Sequence, residues 1–274
     1  MKRITYLFML IPGIFLLLGT LFYPLAGILL PTFNDEGFSL GRYIGFFADS
    51  YYRVILIRTL KIAILSTLIC TVLGVPTAYF ISRCGRGLKS LLMGISIFPL
   101  LINSVIRSFA WINILGRNGV INSLFLRLRL IKEPLGLLYT DFSILIGTIY
   151  LFLPLMLITL VGSLDNIDDD ISEAAEILGA SRIHAFFKVV LPLSLPGILV
   201  GAVLVFTGAI TAYTTPNLLG GNRHMLMATF IYQRAMSLSD WTGAGVIAMI
   251  MILITFVMIS LLQSLANALD RRYR

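Results

Sequence analysis

The sequence predicts an all-α integral membrane protein with six transmembrane helices, and three observations carry that prediction. Apolar residues make up 58% of the chain and charged residues only 12%, against about 45–50% and about 25% in soluble domains. The mean hydropathy is +0.95. Six apolar runs each approach the roughly 20 residues that a helix needs to cross a bilayer. No hydrophilic stretch longer than about thirty residues separates them, which leaves no place for a soluble catalytic domain.

The predicted spans cover residues 6–30, 57–82, 89–115, 142–162, 193–215 and 242–266. Pro12, Pro76, Pro99 and Pro154 lie inside four of them. Interior proline suits a membrane helix, where neighbouring helices and Ser/Thr hydroxyls satisfy the freed backbone groups. The first run follows Met1, Lys2 and Arg3 but is too long for a secretory h-region, and no A-x-A site follows it, so a retained anchor is expected.

The net charge of +8 comes from short basic segments flanking the spans, with no basic stripe or aromatic interleaving. Membrane flanks account for it, and no nucleic-acid partner is expected. Lys and Arg divide almost evenly between the two sides, so orientation is read from the shortest segments. Lys2 and Arg3, the turn with Arg83, Arg86 and Lys89, and Arg271, Arg272 and Arg274 place both termini in the cytoplasm. Cys70 and Cys84, fourteen residues apart, would sit about 21 Å apart along a helix, beyond disulfide reach. His184 and His224 lack partners at metal-ligand spacing, so no metal site is expected.

The polar loop at 163–192 is the informative segment. It reads as two short amphipathic helices hinged at Gly179. In the first, Ile171, Ala174, Ala175 and Leu178 fall at i, i+3, i+4 and i+7 on one face. Asp170 and Glu173 can form a capping-box-like start, with Asp168 and Asp169 favouring the positive helix end. Gly179 suits a left-handed terminating position. In the second helix Ser181 is the expected N-cap. Ile183, Phe186, Phe187 and Val190 repeat the spacing, and Pro192 is expected to close the helix. Two such faces need something to bury against, whether another protein, the chain's own helices or the lipid surface.

This loop resembles the EAA motif of ABC importer permeases: EAA, three residues, Gly, nine residues, Ile-x-Leu-Pro. Here it reads Glu173, Ala174, Ala175, then Gly179, then Val189, Leu191 and Pro192, with Val189 replacing Ile. The segments NSVIRSFAWINILGRNGVINS, PNLLGG and the pair Asp240-Trp241 resemble the spermidine/putrescine permease branch. That branch usually shows Arg-Asp-Trp-Pro where this chain has Ser239, Asp240, Trp241 and Thr242.

The resemblance implies a type I importer permease fold over a single domain, 1–274, with its core at about 57–266. It implies a non-catalytic subunit that imports a small solute, a polyamine in that branch. Aminoethylphosphonate, an opine or a similar solute is the alternative. Two cytoplasmic ATPase subunits, a second, non-identical permease and an extracytoplasmic solute-binding protein are the implied partners, with ATP and Mg held by the ATPase. The coupling element would comprise Ile171, Glu173, Ala174, Ala175, Leu178, Gly179, Ile183, Phe186, Phe187, Leu191 and Pro192. Glu173 reads either as a helix cap or, by resemblance, as a salt-bridge partner of the ATPase.

This chain has no G-x-x-x-x-G-K-[ST] phosphate loop of its own. A substrate path is expected along the third and fifth spans. Asn103, Ser104, Arg107, Ser108, Trp111 and Asn113 cluster in the third, and Thr207, Thr211, Tyr213, Thr214 and Thr215 in the fifth. Arg107 has a second, structural reading, snorkelling to the outer interface or bonding exposed carbonyls. Asp49, Asp141 and Asp240 lie only at span edges, so a cationic solute would meet no acid of this chain at depth. An ATP-independent transporter or channel would show mid-membrane charges or inverted repeats, and an intramembrane enzyme would show a nucleophile, acid pair or H-E-x-x-H at depth. The sequence offers none of these.

Overall fold

The computed structural model describes residues 2–33 and 39–270, and the side chains of 2–11, 14, 17, 169 and 265–270 are left undescribed. Arg271, Arg272 and Arg274, used in the charge argument, lie outside the described residues, as do the side chains of Lys2 and Arg3. The secondary structure of the described residues is entirely helical. In chain order the helices are α1 (Lys2–Leu29), α2 (Gly41–Ala48), α3 (Ser50–Ser82), α4 (Arg86–Leu101), α5 (Ser104–Leu115), α6 (Val120–Arg127) and α7 (Asp141–Leu164). They continue as α8 (Asp169–Ile177), α9 (Arg182–Ala185), α10 (Leu191–Leu193), α11 (Leu195–Thr211), α12 (Thr214–Gly220), α13 (Met227–Tyr232) and α14 (Trp241–Asp270).

Among the described residues, the helices at Ser50–Ser82, Asp141–Leu164 and Trp241–Ser264 are each long and apolar enough to cross a membrane. Two further candidates are bent pairs. The third predicted span is not one helix: Arg86–Leu101 and the helical stretch Ser104–Arg127 meet at 96°. The fifth begins with a 66° bend between Arg182–Leu193 and Leu195–Thr211 and then breaks again at Ala212 and Tyr213. Each break lies close to a proline, Pro99, Pro196 or Pro216, which removes a backbone donor.

The described residues fall into two compact units, one within Met1–Val54 and Phe230–Leu253, the other within Ile55–Thr229 and Ile254–Arg274. In the first, Phe46, Tyr51, Tyr52 and Phe230 form an aromatic cluster with ring centroids 5.2–6.1 Å apart. The guanidinium of Arg234 lies 5.3 Å from the centroids of both Tyr52 and Phe230, donates to the Tyr52 hydroxyl and pairs with Asp240 at 2.9 Å. Asp240 also caps α14, accepting from the Gly243 amide at 2.8 Å.

The second unit is organised around α7. Cys70, Ala78 and Ile81 of α3, Ala202 and Val205 of α11, and Val190 pack against Met156, Leu157, Leu160, Val161 and Leu164. Glycine permits the close approach. A Cβ on Gly197 would lie 2.3 Å from the Ser163 Cβ, and one on Gly201 2.5 Å from the Met156 sulfur. These two glycines, four apart on α11, form a small-xxx-small face that brings its backbone against α7. Gly197→Val should therefore cost about 1–3 kcal/mol through overpacking. Thermal unfolding of the detergent-solubilised chain should show a lower midpoint, while Gly162→Ala, with open space at its Cβ, should not lower it.

Candidate functional site

The loop between α7 and α11 begins differently from its sequence reading. Asp168 occupies the N-cap position with extended backbone and without a side-chain cap bond, so α8 starts at Asp169. Glu173 then lies five residues beyond the cap, too far to bond back to it, and the expected Asp170–Glu173 capping box does not form. The helix end follows expectation. Gly179 has φ +95°, its amide donates to Glu176 O at 2.9 Å, and the Ala180 amide donates to Ala175 O at 3.0 Å. That pair of bonds is a Schellman termination. Ile171, Ala174 and Leu178 are exposed, with Ala175 partly so. Ile177, which the sequence reading did not include, is 86% exposed and Leu178 is 89% exposed.

Ser181 caps the next helix, accepting from the His184 amide at 3.3 Å. After one α-turn the chain widens into a π-helical turn at Phe186–Val190. The inserted residue changes which side chains share a face, so the expected stripe divides. Phe186 packs on Tyr79 with centroids 4.8 Å apart, and Val190 is fully buried in the α7 core. Ile183 and Phe187 stay exposed. Half of the stripe anchors the loop and half is free.

Pro192 does not close the helix. It sits in the first turn of α10, where its missing amide hydrogen costs least. The bend falls at Ser194, ahead of Pro196, which cannot donate to the Pro192 carbonyl. Ser194 is buried, with its amide bonded to Val190 O and its hydroxyl to Leu191 O, both at 2.9 Å. Leu191 and Pro192 thus join the anchored half of the loop to α11. A cleft of about 730 Å³ opens between α3 and the loop, lined by Tyr79, Arg83, Glu173, Glu176, Arg182 and Phe187. Arg182 and Glu176 face each other across the Gly179 bend at 3.6 Å. At the base of the loop, Lys89 pairs with Asp165 at 2.5 Å and ties the first turn of α4 to the end of α7.

The residues expected along a path divide between α5 and the second break. Asn103 caps α5, accepting from the Val105 amide at 2.9 Å. Arg107 is only 6% exposed, and its Nη1 donates to Pro99 O at 2.9 Å and to Ile102 O at 3.2 Å. Ser108 is buried and bonds back to Ser104 O. Trp111 meets Tyr150 of α7 edge-to-face at 5.6 Å, and Asn113 is exposed. Thr211 ends α11, its hydroxyl bonded to Thr207 O at 2.7 Å. Tyr213 and Thr214 open α12, which packs against both α5 and α7, while Thr215 is buried against Gly147. The third and fifth predicted spans therefore meet through α12 rather than α11.

Sequence reasoning missed two polar clusters. Arg58 Nε and His224 Nδ1 converge on Asp141 Oδ1 at 3.0 and 2.6 Å. Arg58 also bonds Met225 O, and Thr59 accepts from the Met227 amide, so residues 224–227 are pinned to α3 and α7. Asn122, fully buried, donates to Gly116 O and Leu135 O at 3.0 Å and accepts from the Leu135 amide at 2.8 Å. Asn122 was in view within the NSVIRSFAWINILGRNGVINS segment. The Asp141 cluster joins residues 83 and more apart, which spacing cannot reveal.

The packed α7 core, the broken apolar helices and the projecting two-helix loop define a helical membrane permease component. The chain belongs to the ABC importer permeases, in the family described as binding-protein-dependent transport system inner membrane component, which matches residues 70–274. It is similar to the spermidine/putrescine transport system permease protein PotB of Escherichia coli K12, 32% identical over 204 residues and 74% of each chain. The PotB of Haemophilus influenzae is 30% identical over 223 residues, 80% of this chain and 78% of the relative. In fold it matches the crystal structure of a bacterial ABC transporter that imports the acidic polysaccharide alginate, with a TM-score of 0.81, 19% identity and 97% and 96% coverage of the two chains.

Removing the Asn122 amide takes the partner from both the amide and the carbonyl of Leu135, while Gly116 O keeps the Gly119 amide, at about 1–3 kcal/mol. Asn122→Ala should lower the unfolding midpoint of the solubilised permease and speed amide exchange at Leu135, as read by exchange mass spectrometry.

Proposed function

We propose that this chain is the polyamine-translocating permease subunit of its importer, seated in a bacterial inner membrane with six spans and both termini cytoplasmic. One observation carries the mechanism: an apolar, unpartnered surface on a loop whose other half is anchored in the protein core. Ile171, Ala174, Ala175 and Leu178, with Gly179, Ile183 and Phe187, dock into a cytoplasmic ATPase subunit. Glu173 lies beside that surface and meets a basic group of the partner, while Glu176 is paired with Arg182 across the Gly179 bend. Phe186, Leu191 and Pro192 carry the load inward. When two ATPase subunits close on ATP and Mg, the stroke enters through this loop and moves the α7 block between inward-open and outward-open states. The chain itself catalyses nothing and holds no cofactor.

A second, non-identical permease and an extracytoplasmic solute-binding protein complete the assembly. The alginate importer that shares the fold has also been crystallised with its periplasmic protein bound, which supports the latter partner. The polyamine assignment follows the names of the relatives at 32% and 30% identity. The path reading takes Asn103, Ser104, Trp111, Asn113, Thr211, Tyr213 and Thr214 as its wall, with Ser108 and Arg107 behind it.

Leu178→Asp places a charge in the docking face without touching the core. The expected outcome is normal membrane insertion, loss of ATPase co-purification and at least a tenfold fall in uptake. Retained co-purification would remove this face from the contact. Calorimetry of the paired binding protein with spermidine, putrescine, aminoethylphosphonate and an opine tests the solute, and tight binding only of a non-polyamine would overturn the polyamine reading.

A further inference from the structure

The break in the third predicted span poses a specific hydrogen-bonding problem. In a continuous helix the Pro99 carbonyl would accept from the Asn103 amide and the Ile102 carbonyl from the Ile106 amide. The 96° bend after Ile102 removes both donors. Asn103 instead serves the new helix, with its side chain accepting from Val105 and its carbonyl accepting from the Arg107 amide at 3.0 Å. Two of the carbonyls left at the end of α4, those of Pro99 and Ile102, are taken by a single group, Nη1 of Arg107, at 2.9 and 3.2 Å.

No carboxylate among the described residues pairs with this buried guanidinium. Its charge is balanced by the negative end of α4, where carbonyl dipoles accumulate. The bent and straight forms of this segment thus differ in who satisfies the same two carbonyls: Arg107 in one, the backbone in the other.

We propose that Arg107 is a positioning residue for transport. Its guanidinium locks the elbow between α4 and α5 and so sets the direction of the face carrying Ser104, Trp111 and Asn113. Without it, the backbone bonds of a continuous helix become the cheaper way to satisfy Pro99 and Ile102, and the segment straightens. The inference rests on the path reading given above for α5, not on which solute is carried.

The test uses the complete importer, with its ATPase, partner permease and binding protein, in proteoliposomes. Spin labels at Leu91 and Phe109, both exposed, report the elbow, since they would lie about 27 Å apart along a straight helix and about 19 Å apart across a right angle. Arg107→Met should add a long-distance population and lower uptake per assembled complex at least tenfold, with KM within twofold. Arg107→Lys, which keeps a charged donor, should hold the short distance and recover at least a third of the rate.

A methionine variant with native distance and native rate per complex, reduced only in amount, would make Arg107 a stability residue and overturn the proposal. A changed KM at unchanged distance would make it a substrate contact and overturn it equally. If the methionine variant does not assemble, Arg107→Gln, too short to reach both carbonyls, takes its place with the same readouts. Uptake is followed with whichever solute the paired binding protein holds. A wrong polyamine assignment therefore appears as wild-type transport of another solute, separate from this result.

Discussion

The constraint on which this structure depends is that backbone polar groups in apolar surroundings must find partners within the protein. An uninterrupted helix meets it automatically, and every interruption must be repaired locally. This chain interrupts its apolar helices at Ile102 and Asn103, at Ser194, and at Ala212 and Tyr213. Polar side chains stand at each of those places: Asn103 and Arg107 at the first, the Ser194 hydroxyl at the second, and Thr211 bonded to Thr207 and Gly208 at the third. In a soluble protein water would do this work. Here side-chain chemistry fixes where the helices can turn.

The unbroken helix α7 supplies the counterpart. Gly74 of α3, Gly197, Gly201 and Gly208 of α11, and its own Gly147 facing α12 all lie where a Cβ would press on a neighbouring side chain. Helices in lipid gain little from hydrophobic exclusion, so close van der Waals packing of this kind holds them together. A block packed to that tolerance moves as a body rather than deforming. The loop is tied into the block by Phe186, Val190 and the Lys89–Asp165 pair, while α8 projects beyond the Gly179 bend. Force applied to α8 therefore reaches α7 through a short chain of buried contacts.

Much of this was legible in the residues. The long apolar runs located the helices, and Gly179, Ser181 and the i, i+3, i+4, i+7 pattern located the loop helices, because capping and periodicity are local signals. What escaped was non-local or a choice between local alternatives. Three consecutive aspartates, Asp168, Asp169 and Asp170, can each start a helix, and α8 starts two residues before the position that would let Glu173 cap it. The π-turn at Phe186–Val190 divides a stripe that α-periodicity assigns to one face, since one additional residue per turn leaves no mark in composition. The elbow after Pro99 leaves no mark in an apolar run, because hydropathy is blind to direction. The repeat of Gly197 and Gly201 was visible and carried the packing of α11, but its partner on α7 could be identified only in three dimensions.

The elbow also resolves a conflict that the sequence leaves standing. A guanidinium at the wall of a path would repel a cationic solute, yet the relatives at 30% identity or better are polyamine permeases. With Arg107 turned onto the carbonyls of α4, its charge faces a helix end rather than a passage. The surface left to the proposed path would consist of hydroxyls, amides and the aromatic rings of Trp111 and Tyr213, which attract cations weakly through their faces and dipoles. On the proposed reading, a wall without fixed acids would bind a polyamine loosely, and loose binding would suit translocation, because a solute held tightly midway would have to be released against that affinity. On that reading selectivity would belong to the binding protein that delivers the solute, and the permease would contribute a passage whose geometry is set by where its helices break.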